Sequence, residues 1–260
     1  MNTLSHTNSE SLLNKVPEVT LYFWIIKILA TTVGETAADF LNVNLNFGLT
    51  GTSVTMAALL SAFLVAQVRG RQYIPWLYWV TVVLISVVGT LITDNLVDNL
   101  GVSLEAATGA FSIALIATFA LWYRSERTLS IHSIFTRKRE LYYWAAILFT
   151  FALGTAAGDL AAESLSLGYG VAALIFGGEI AVITVLHYGF KMNAVLAFWL
   201  AYILTRPLGA SFGDLLSQPV ADGGLGLGTV VTSGLFLTAI ASLVAFLTIT
   251  RKDVIEKEVA

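Results

Sequence analysis

The feature that most constrains this chain is a series of eight long apolar segments separated by short polar connectors. They cover residues 19–41, 51–68, 74–96, 102–123, 141–160, 169–188, 194–216 and 227–250. Because an α-helix needs about 20 mostly apolar residues to cross the hydrocarbon core of a bilayer, each segment predicts one transmembrane helix. Only 12% of the 260 residues are charged, against about 25% in soluble domains. We therefore expect an all-α polytopic membrane protein with eight transmembrane helices.

The basic residues lie almost entirely on one side of these helices. Twelve Lys and Arg precede the first segment or follow an even-numbered one, whereas the connectors after segments one, three, five and seven have none. By the positive-inside rule, the basic connectors face the cytoplasm. This predicts cytoplasmic tails at residues 1–14 and 251–260 and a cytoplasmic linker at 124–140. Ile131, Ile134 and Phe135 of the linker favour either an amphipathic turn on the membrane surface or a plain tether.

Each odd-numbered segment repeats one pattern: an aromatic residue and Trp, then Gly ten residues and Asp fifteen residues after the Trp. The repeated residues are Trp24, Trp79, Trp144 and Trp199, Gly34, Gly89, Gly154 and Gly209, and Asp39, Asp94, Asp159 and Asp214. The Asp residues are 55, 65 and 55 positions apart, so each unit has two helices, with two units in residues 15–123 and two in 141–250. Units with an even number of helices run parallel, and transporters built from parallel repeats place substrate sites where the repeats meet.

With a marker tryptophan and two predicted helices in each unit, the chain resembles a family of bacterial inner-membrane proteins made of four tandem repeats of unknown function. The resemblance covers residues 15–250, with the four repeated Trp at the marker position. It implies the eight-helix architecture and a location in the bacterial inner membrane. It implies no catalytic or binding residue.

The repeated Trp and Gly residues have simple structural interpretations. The Trp lie near the predicted cytoplasmic ends of their helices, where an indole anchors a helix at the depth of the lipid headgroups, or alternatively packs inside the bundle. The Gly lie where small residues allow membrane helices to approach closely.

The four Asp are the strongest candidates for function. Fifteen residues correspond to about 22 Å of helix, so each Asp lies near the outer end of its helix. A carboxylate there faces the negative end of the helix dipole, which is unfavourable without compensation. The Asp residues either form a cation or proton pathway or cap the loops that follow by binding backbone amides.

Further carboxylates accompany three of the four Asp. Glu35, Asp98 and Glu163 each lie four residues from a repeated Asp, and Glu179 of segment six is another acidic candidate. Residues four apart share a helix face. Sites rich in oxygen suit hard divalent cations such as Mn²⁺ or Mg²⁺, and Asp159, Glu163 and Asp214 are the candidate metal ligands. The same carboxylates are alternative proton carriers.

Two basic residues lie within the segments. Lys27 follows Trp24 by three residues, close enough to the cytoplasm for its ammonium to snorkel to water. Arg206 lies near mid-depth, where a lipid-facing charge costs at least about 2.5 kcal/mol. We expect Arg206 to face the bundle and pair with Asp159, Glu179 or Glu35, as structural support or as a gate. Lys27 is the other candidate for an intramembrane ion pair.

These features favour a small secondary transporter for a hard divalent cation such as Mn²⁺, coupled to protons, rather than an enzyme. Apart from a bound divalent cation they indicate no cofactor, and no segment is basic or long enough to suggest nucleic-acid binding. The expected partners are the bilayer and a small ion or small-molecule substrate. The alternatives are a membrane scaffold or sensor that binds a partner through the basic linker, and an intramembrane enzyme that modifies a lipid.

Overall fold

A computed structural model describes residues 14–44 and 48–254, and this part of the chain is entirely helical apart from its connections. The predicted tail at residues 1–14, except Asn14, lies outside the described residues. So do residues 255–260 of the second predicted tail, which include Lys257.

Each predicted segment forms one long helix. The eight are α1 Leu21–Asp39, α2 Gly48–Arg69, α3 Pro75–Asp94, α4 Leu104–Glu126, α5 Arg137–Asp159, α6 Tyr169–Phe190, α7 Ala194–Ser217 and α8 Thr229–Thr250. A turn of π-helix follows α1, α3 and α5, at Phe40–Asn44, Asn95–Asn99 and Leu160–Ser164. Short π-helical turns often occur at functional sites, and these three begin directly after a repeated Asp.

Side-chain caps fix where several helices begin. The hydroxyl groups of Thr20 and Thr136 accept hydrogen bonds from backbone amides three residues further on, and Asn193 accepts two at the start of α7. Such caps satisfy amides that have no partner within the helix. Pro75 starts α3, where its missing N–H costs nothing.

Among the described residues, seven helices are long and apolar enough to cross a membrane. The eighth long helix is α1, which carries Lys27 and Glu35 in its interior. The chain thus has the features of a multi-pass membrane protein, and its charged helix lies inside the bundle.

The helices form two concentric layers. The odd-numbered helices make an inner ring in which α1 and α5 each pack against both α3 and α7. Each even-numbered helix covers the inner helix of the next unit: α2 packs on α3, α4 on α5, α6 on α7, and α8 on α1. Most residues of the outer helices face outward. The four repeats therefore close into a ring around one central axis.

The repeated glycines provide the contacts within the inner ring. Each lies against the residue seven positions after the Trp of the next unit, which gives the pairs Gly34–Ser86, Gly89–Phe151, Gly154–Arg206 and Gly209–Thr31. The last pair joins unit four to unit one. A Cβ atom at Gly89 would come within 2.6 Å of the Cβ of Phe151, so only glycine permits this approach.

The aromatic–Trp pairs form a second ring, which we call the aromatic end. Each Trp packs on the aromatic residue that precedes the Trp of the previous unit, with ring centroids 5.5–6.2 Å apart: Trp79–Phe23, Trp144–Tyr78, Trp199–Tyr143 and Trp24–Phe198. Three of the four Trp are buried and Trp24 is half-buried. The structure favours packing inside the bundle over the predicted belt at the lipid headgroups.

The linker is shorter and more tightly packed than the sequence suggested. Helix α4 extends to Glu126 and α5 begins at Arg137. Ile131 and Ile134 are buried in the core, and the carbonyl of Leu129 accepts a hydrogen bond from the indole of Trp199. Ile131 and Ile134 therefore do not lie on the membrane surface as the first interpretation expected, whereas Phe135 is 39% exposed.

Candidate functional site

One face of each inner helix points toward the axis, and we call the residues on it the axial column. They lie 3, 7, 11 and 15 positions after each Trp, a spacing of four that keeps them on one helix face. From the aromatic end outward the layers are Lys27, Val82, Ile147 and Tyr202, then Thr31, Ser86, Phe151 and Arg206, then Glu35, Thr90, Thr155 and Ala210, and last the four repeated Asp. All twelve residues of the first three layers are buried.

The repeated Asp gather at the opposite end of the ring, which we call the acidic end. Asp214 is 7% exposed, and its carboxylate interacts electrostatically with those of Glu35, Asp159 and Asp39. Asp94 interacts in the same way with Glu35 and Asp39. The side chain of Gln218 donates a hydrogen bond of 3.4 Å to Asp39. Carboxylates from all four units therefore surround the axis.

The turns after α3 and α5, at the acidic end, bind their own backbone amides. After α3, the amides of Leu100, Gly101 and Val102 bind backbone carbonyls of the π-helical turn and its approach. After α5, the amides of Leu165 and Gly168 do the same. Since these amides have backbone partners, the arrangement favours convergence of the Asp on the axis over the alternative of loop caps.

The side chain of Arg206 crosses the axis one layer closer to the aromatic end than Glu35, and we call it the Arg206 bar. Its guanidinium donates a 2.9 Å hydrogen bond to the carboxylate of Glu35 and 2.6 Å and 2.7 Å bonds to the carbonyl of Thr31 and the hydroxyl of Thr155. It also binds the hydroxyl of Thr90. These partners belong to units one, two and three, so one side chain from unit four connects the whole inner ring. The predicted pairing of Arg206 with an acidic residue is confirmed, and that residue is Glu35.

Lys27 lies on the aromatic side of this bar. Its ammonium nitrogen is 3.7 Å from the ring centroid of Phe151 and 4.1 Å from that of Tyr202. Lys27 is fully buried, so the prediction that it snorkels to water is wrong. The residues of the aromatic end cover Lys27 at this end of the ring, so its side chain does not reach the surface of the bundle. No carboxylate pairs with it among the described residues.

The aromatic end is closed by hydrogen bonds as well as by packing. The hydroxyls of Tyr78 and Tyr143, from adjacent units, are 2.5 Å apart. The residues before α1 lie over this end, where buried Lys15 pairs with Glu140 of α5 and donates to the carbonyl of Val68. The axis is therefore closed at the aromatic end and barred by Arg206 in the middle.

Comparison with known sequences identifies the repeating unit. Four stretches match the repeat described as Repeat of Unknown Function (DUF347), at residues 22–73, 77–128, 142–193 and 197–253. The chain belongs to this family. Each match to the DUF347 repeat contains one inner helix and the outer helix that follows it, so the predicted resemblance is confirmed. No curated protein and no solved structure matches the chain.

Two predicted acidic residues do not lie with the others on the axis of this DUF347 ring. Glu179 is exposed on the outer helix α6, because α6 turns only one narrow face toward α7. Asp98 is exposed in the π-helical turn after α3, although it interacts electrostatically with Asp94. Glu163 lies in the turn Leu160–Ser164, and its side chain is outside the described part of the structure.

The predicted metal ligands Asp159, Glu163 and Asp214 remain a prediction. Among the described residues, no three Asp, Glu or His side chains are grouped closely enough to hold a metal ion. A cation at the acidic end would therefore need these carboxylates to move closer together.

Sequence reasoning missed the polar residues that surround Arg206. Thr31, Thr90 and Thr155 occupy axial positions 7 or 11 residues after a marker Trp. Aligning the four DUF347 repeats and reading every fourth residue from the Trp would have found them. The repeat spacing contained this signal, but without the alignment a single Thr in a membrane helix does not indicate a functional position.

Proposed function

We propose that this DUF347 protein is a small secondary transporter of the bacterial inner membrane. It moves a hard divalent cation such as Mn²⁺ along the axis of the ring and couples this movement to protons. The four parallel repeats carry both termini and the aromatic end on the cytoplasmic side. The acidic end faces outward, and the cation moves from the cytoplasm to the outside.

The distribution of charge supports this orientation. Arg69, Lys191 and Arg251 lie at or just beyond the ends of outer helices, beside the aromatic end, as do the basic residues of the linker. Connectors rich in Lys and Arg remain in the cytoplasm during insertion. The connectors at the acidic end carry neither residue.

The observation that carries the proposal is the Arg206 bar beneath the ring of carboxylates. Charged side chains inside a membrane bundle are costly and typically mark ion or proton routes. Glu35 belongs to both parts of the site, since it binds Arg206 and interacts with Asp94 and Asp214. A cation or proton that reaches Glu35 competes with Arg206 for its carboxylate. The bar then opens only when an ion occupies the site, as coupled transport requires.

The donor set supports a hard cation. The described side chains around the acidic end offer carboxylate and amide oxygens, and the chain contains no cysteine. Oxygen ligands suit Mn²⁺ and Mg²⁺, whereas thiolates suit softer metals. Four carboxylates near one axis also repel one another, and a divalent cation relieves this repulsion.

Neutralising two carboxylates of the ring tests the proposal. In proteoliposomes with an imposed proton gradient, we expect flux of radioactive Mn²⁺ through the wild-type protein. The variant Asp159→Asn with Asp214→Asn removes two of the four repeated charges without changing side-chain size. We expect its Mn²⁺ flux to fall to the level of empty liposomes, because two of the four repeated carboxylates no longer carry a charge that attracts the cation.

Glu105→Gln is the matched control. Glu105 is a fully exposed carboxylate in the first turn of α4, at the same end of the molecule but outside the ring. Its Mn²⁺ flux should equal that of the wild type. Unchanged flux in the double Asp variant would contradict the proposal, as would equal loss in Glu105→Gln.

A further inference from the structure

Lys27 is the buried charge that the proposed cation route does not use. Its nitrogen has no hydrogen-bond partner among the described residues, although an ammonium group has three N–H donors. Among the described residues, the charged group that acts on it is Arg206, which has the same sign. Phe151 and Tyr202 present ring faces to it.

These surroundings disfavour a permanent charge on Lys27. An ammonium group buried without an acceptor loses its hydration and gains no hydrogen bond in return. Cation–π attraction to the two ring faces offsets part of the free energy lost on burying the ammonium group. The positive charge of Arg206 destabilises the ammonium form further. Burial readily changes the protonation state of a lysine, and catalytic lysines use this property.

We propose that Lys27 is a proton-binding site on the axis, a neutral amine in the closed arrangement described here and protonated in another state of the cycle. The proton-binding property rests on the surroundings of Lys27 alone. Its coupling to a cation rests on the proposed function.

The helices packed against α1 place no carboxylate beside Lys27. On α7 the ionisable residues near it are Tyr202 and Arg206, and on α3 the ionisable residue toward this end is Tyr78; Asp214 and Asp94 lie at the acidic end of these helices, and α8 has no ionisable residue. Across the axis, α5 offers Tyr143. Glu35 of α1 itself lies two turns away and is bound by Arg206.

Tyrosine side chains fill the space between Lys27 and the aromatic end. The ring of Tyr202 contacts Lys27, and its hydroxyl has no hydrogen-bond partner among the described residues. Beyond it, the hydroxyls of Tyr143 and Tyr78 are joined by their 2.5 Å hydrogen bond, and the rings of Tyr78 and Tyr73 pack with centroids 5.7 Å apart. The hydroxyl of Tyr73 donates to the carboxylate of Asp253 at 2.5 Å. Burial raises the pKa of Asp253 above its ordinary value, although the bond from Tyr73 opposes this. Asp253, which is 1% exposed, is thus an acidic group at the aromatic end that can hold a proton.

Arg206 links the two sites, because in the closed arrangement it binds Glu35 and disfavours a proton on Lys27. Like charges that share a low-dielectric interior oppose each other strongly. A state in which Arg206 leaves the axis removes this opposition, so Lys27 is neutral while Arg206 crosses the axis and binds a proton when Arg206 moves away.

The test is ¹⁵N solid-state NMR of the full-length protein in lipid bilayers, with all lysines labelled at Nζ. The chain has six lysines. At pH 7.5 we expect one neutral-amine resonance beside the ammonium resonances, and we expect Lys27→Met to remove it. An ammonium resonance for Lys27 at this pH would overturn the proposal. So would a Lys27 ammonium resonance that moves when chloride replaces gluconate, since that would indicate an anion site.

A second variant tests the influence of Arg206. Arg206→Gln removes the like charge and frees Glu35, so Lys27 should change from amine to ammonium. Arg251→Gln, at the end of α8, is the control and should leave the neutral resonance in place. If Arg206→Gln does not fold, a pH titration of the wild type tests proton binding by Lys27 instead. The neutral resonance must convert to an ammonium resonance as the pH falls, and a neutral resonance that does not convert would overturn the proposal.

Flux measurements separate this inference from the proposed function. If Lys27 is a neutral amine but the wild type moves no Mn²⁺, the proton site stands and the transporter proposal fails. If Mn²⁺ flux is present, Lys27→Met should keep it but lose its dependence on the proton gradient. Flux in Lys27→Met that follows the proton gradient as in the wild type would show that Lys27 does not couple the two ions.

Discussion

Replacing Arg206 by Met is expected to destabilise the protein by about 3–5 kcal/mol, the usual cost of removing one partner of a buried ion pair. The reason is that Arg206 is fully buried and binds Glu35, Thr31, Thr90 and Thr155 from three other units. The variant leaves the carboxylate of Glu35 buried without its partner. The free energy of unfolding in mild detergent, measured by chemical denaturation, checks this expectation.

Two comparisons give this measurement its meaning. Lys138→Met breaks the ion pair between Lys138 and Glu126, whose charged atoms are 3.3 Å apart. Because the side chain of Lys138 is 63% exposed, this loss should cost less than about 1 kcal/mol. The double variant of Arg206→Met and Glu35→Met should be more stable than Arg206→Met alone, because it leaves no unpaired charge. A loss below 1 kcal/mol in Arg206→Met would mean that the bar does not hold the ring together.

Replacing Gly89 by Ala is expected to destabilise the ring by about 1–3 kcal/mol, the typical cost of overpacking a core. The new Cβ would lie 2.6 Å from the Cβ of Phe151 and 3.2 Å from the backbone nitrogen of Ala152. Backbone atoms cannot move aside as a flexible side-chain end does, so α3 and α5 must separate. Thermal unfolding in detergent measures the loss.

The outer helices supply the control for Gly89→Ala. Gly109 of α4 and Gly178 of α6 have open space around the Cβ position. Alanine at either position should be neutral or stabilise by up to about 1 kcal/mol, because alanine favours helix more than glycine does. Equal destabilisation at Gly89 and Gly178 would contradict the idea that repeated glycines join the units.

The sequence predicted the architecture because its two main signals are local. Twenty apolar residues in a row suffice to predict a membrane helix, and the Trp, Gly and Asp spacing is visible without any structure. The closed order of the ring was not visible. That order depends on contacts such as Gly209 with Thr31, which join residues 178 positions apart, and no local pattern encodes such a contact.

The candidate site was predicted in part. Arg206 was expected to pair with a carboxylate because a mid-membrane charge must be compensated, and it pairs with Glu35. Glu179 was grouped with the axial carboxylates because the sequence does not show which face of α6 turns inward. Lys27 was expected to reach water because distance along a helix does not reveal that other residues cover its end.

The most direct test of the central claim asks whether a cation travels along the axis of the ring. The chain has no cysteine, so Thr155→Cys introduces one thiol beside Arg206, and Thr238→Cys introduces one on the exposed face of α8 as a control. A small cationic thiol reagent is added from the acidic side of proteoliposomes. The account predicts that it reacts with Thr155→Cys only during turnover, that the reaction stops Mn²⁺ flux, and that excess Mn²⁺ slows it. Mn²⁺ flux that continues after complete modification of Thr155→Cys would contradict an axial route.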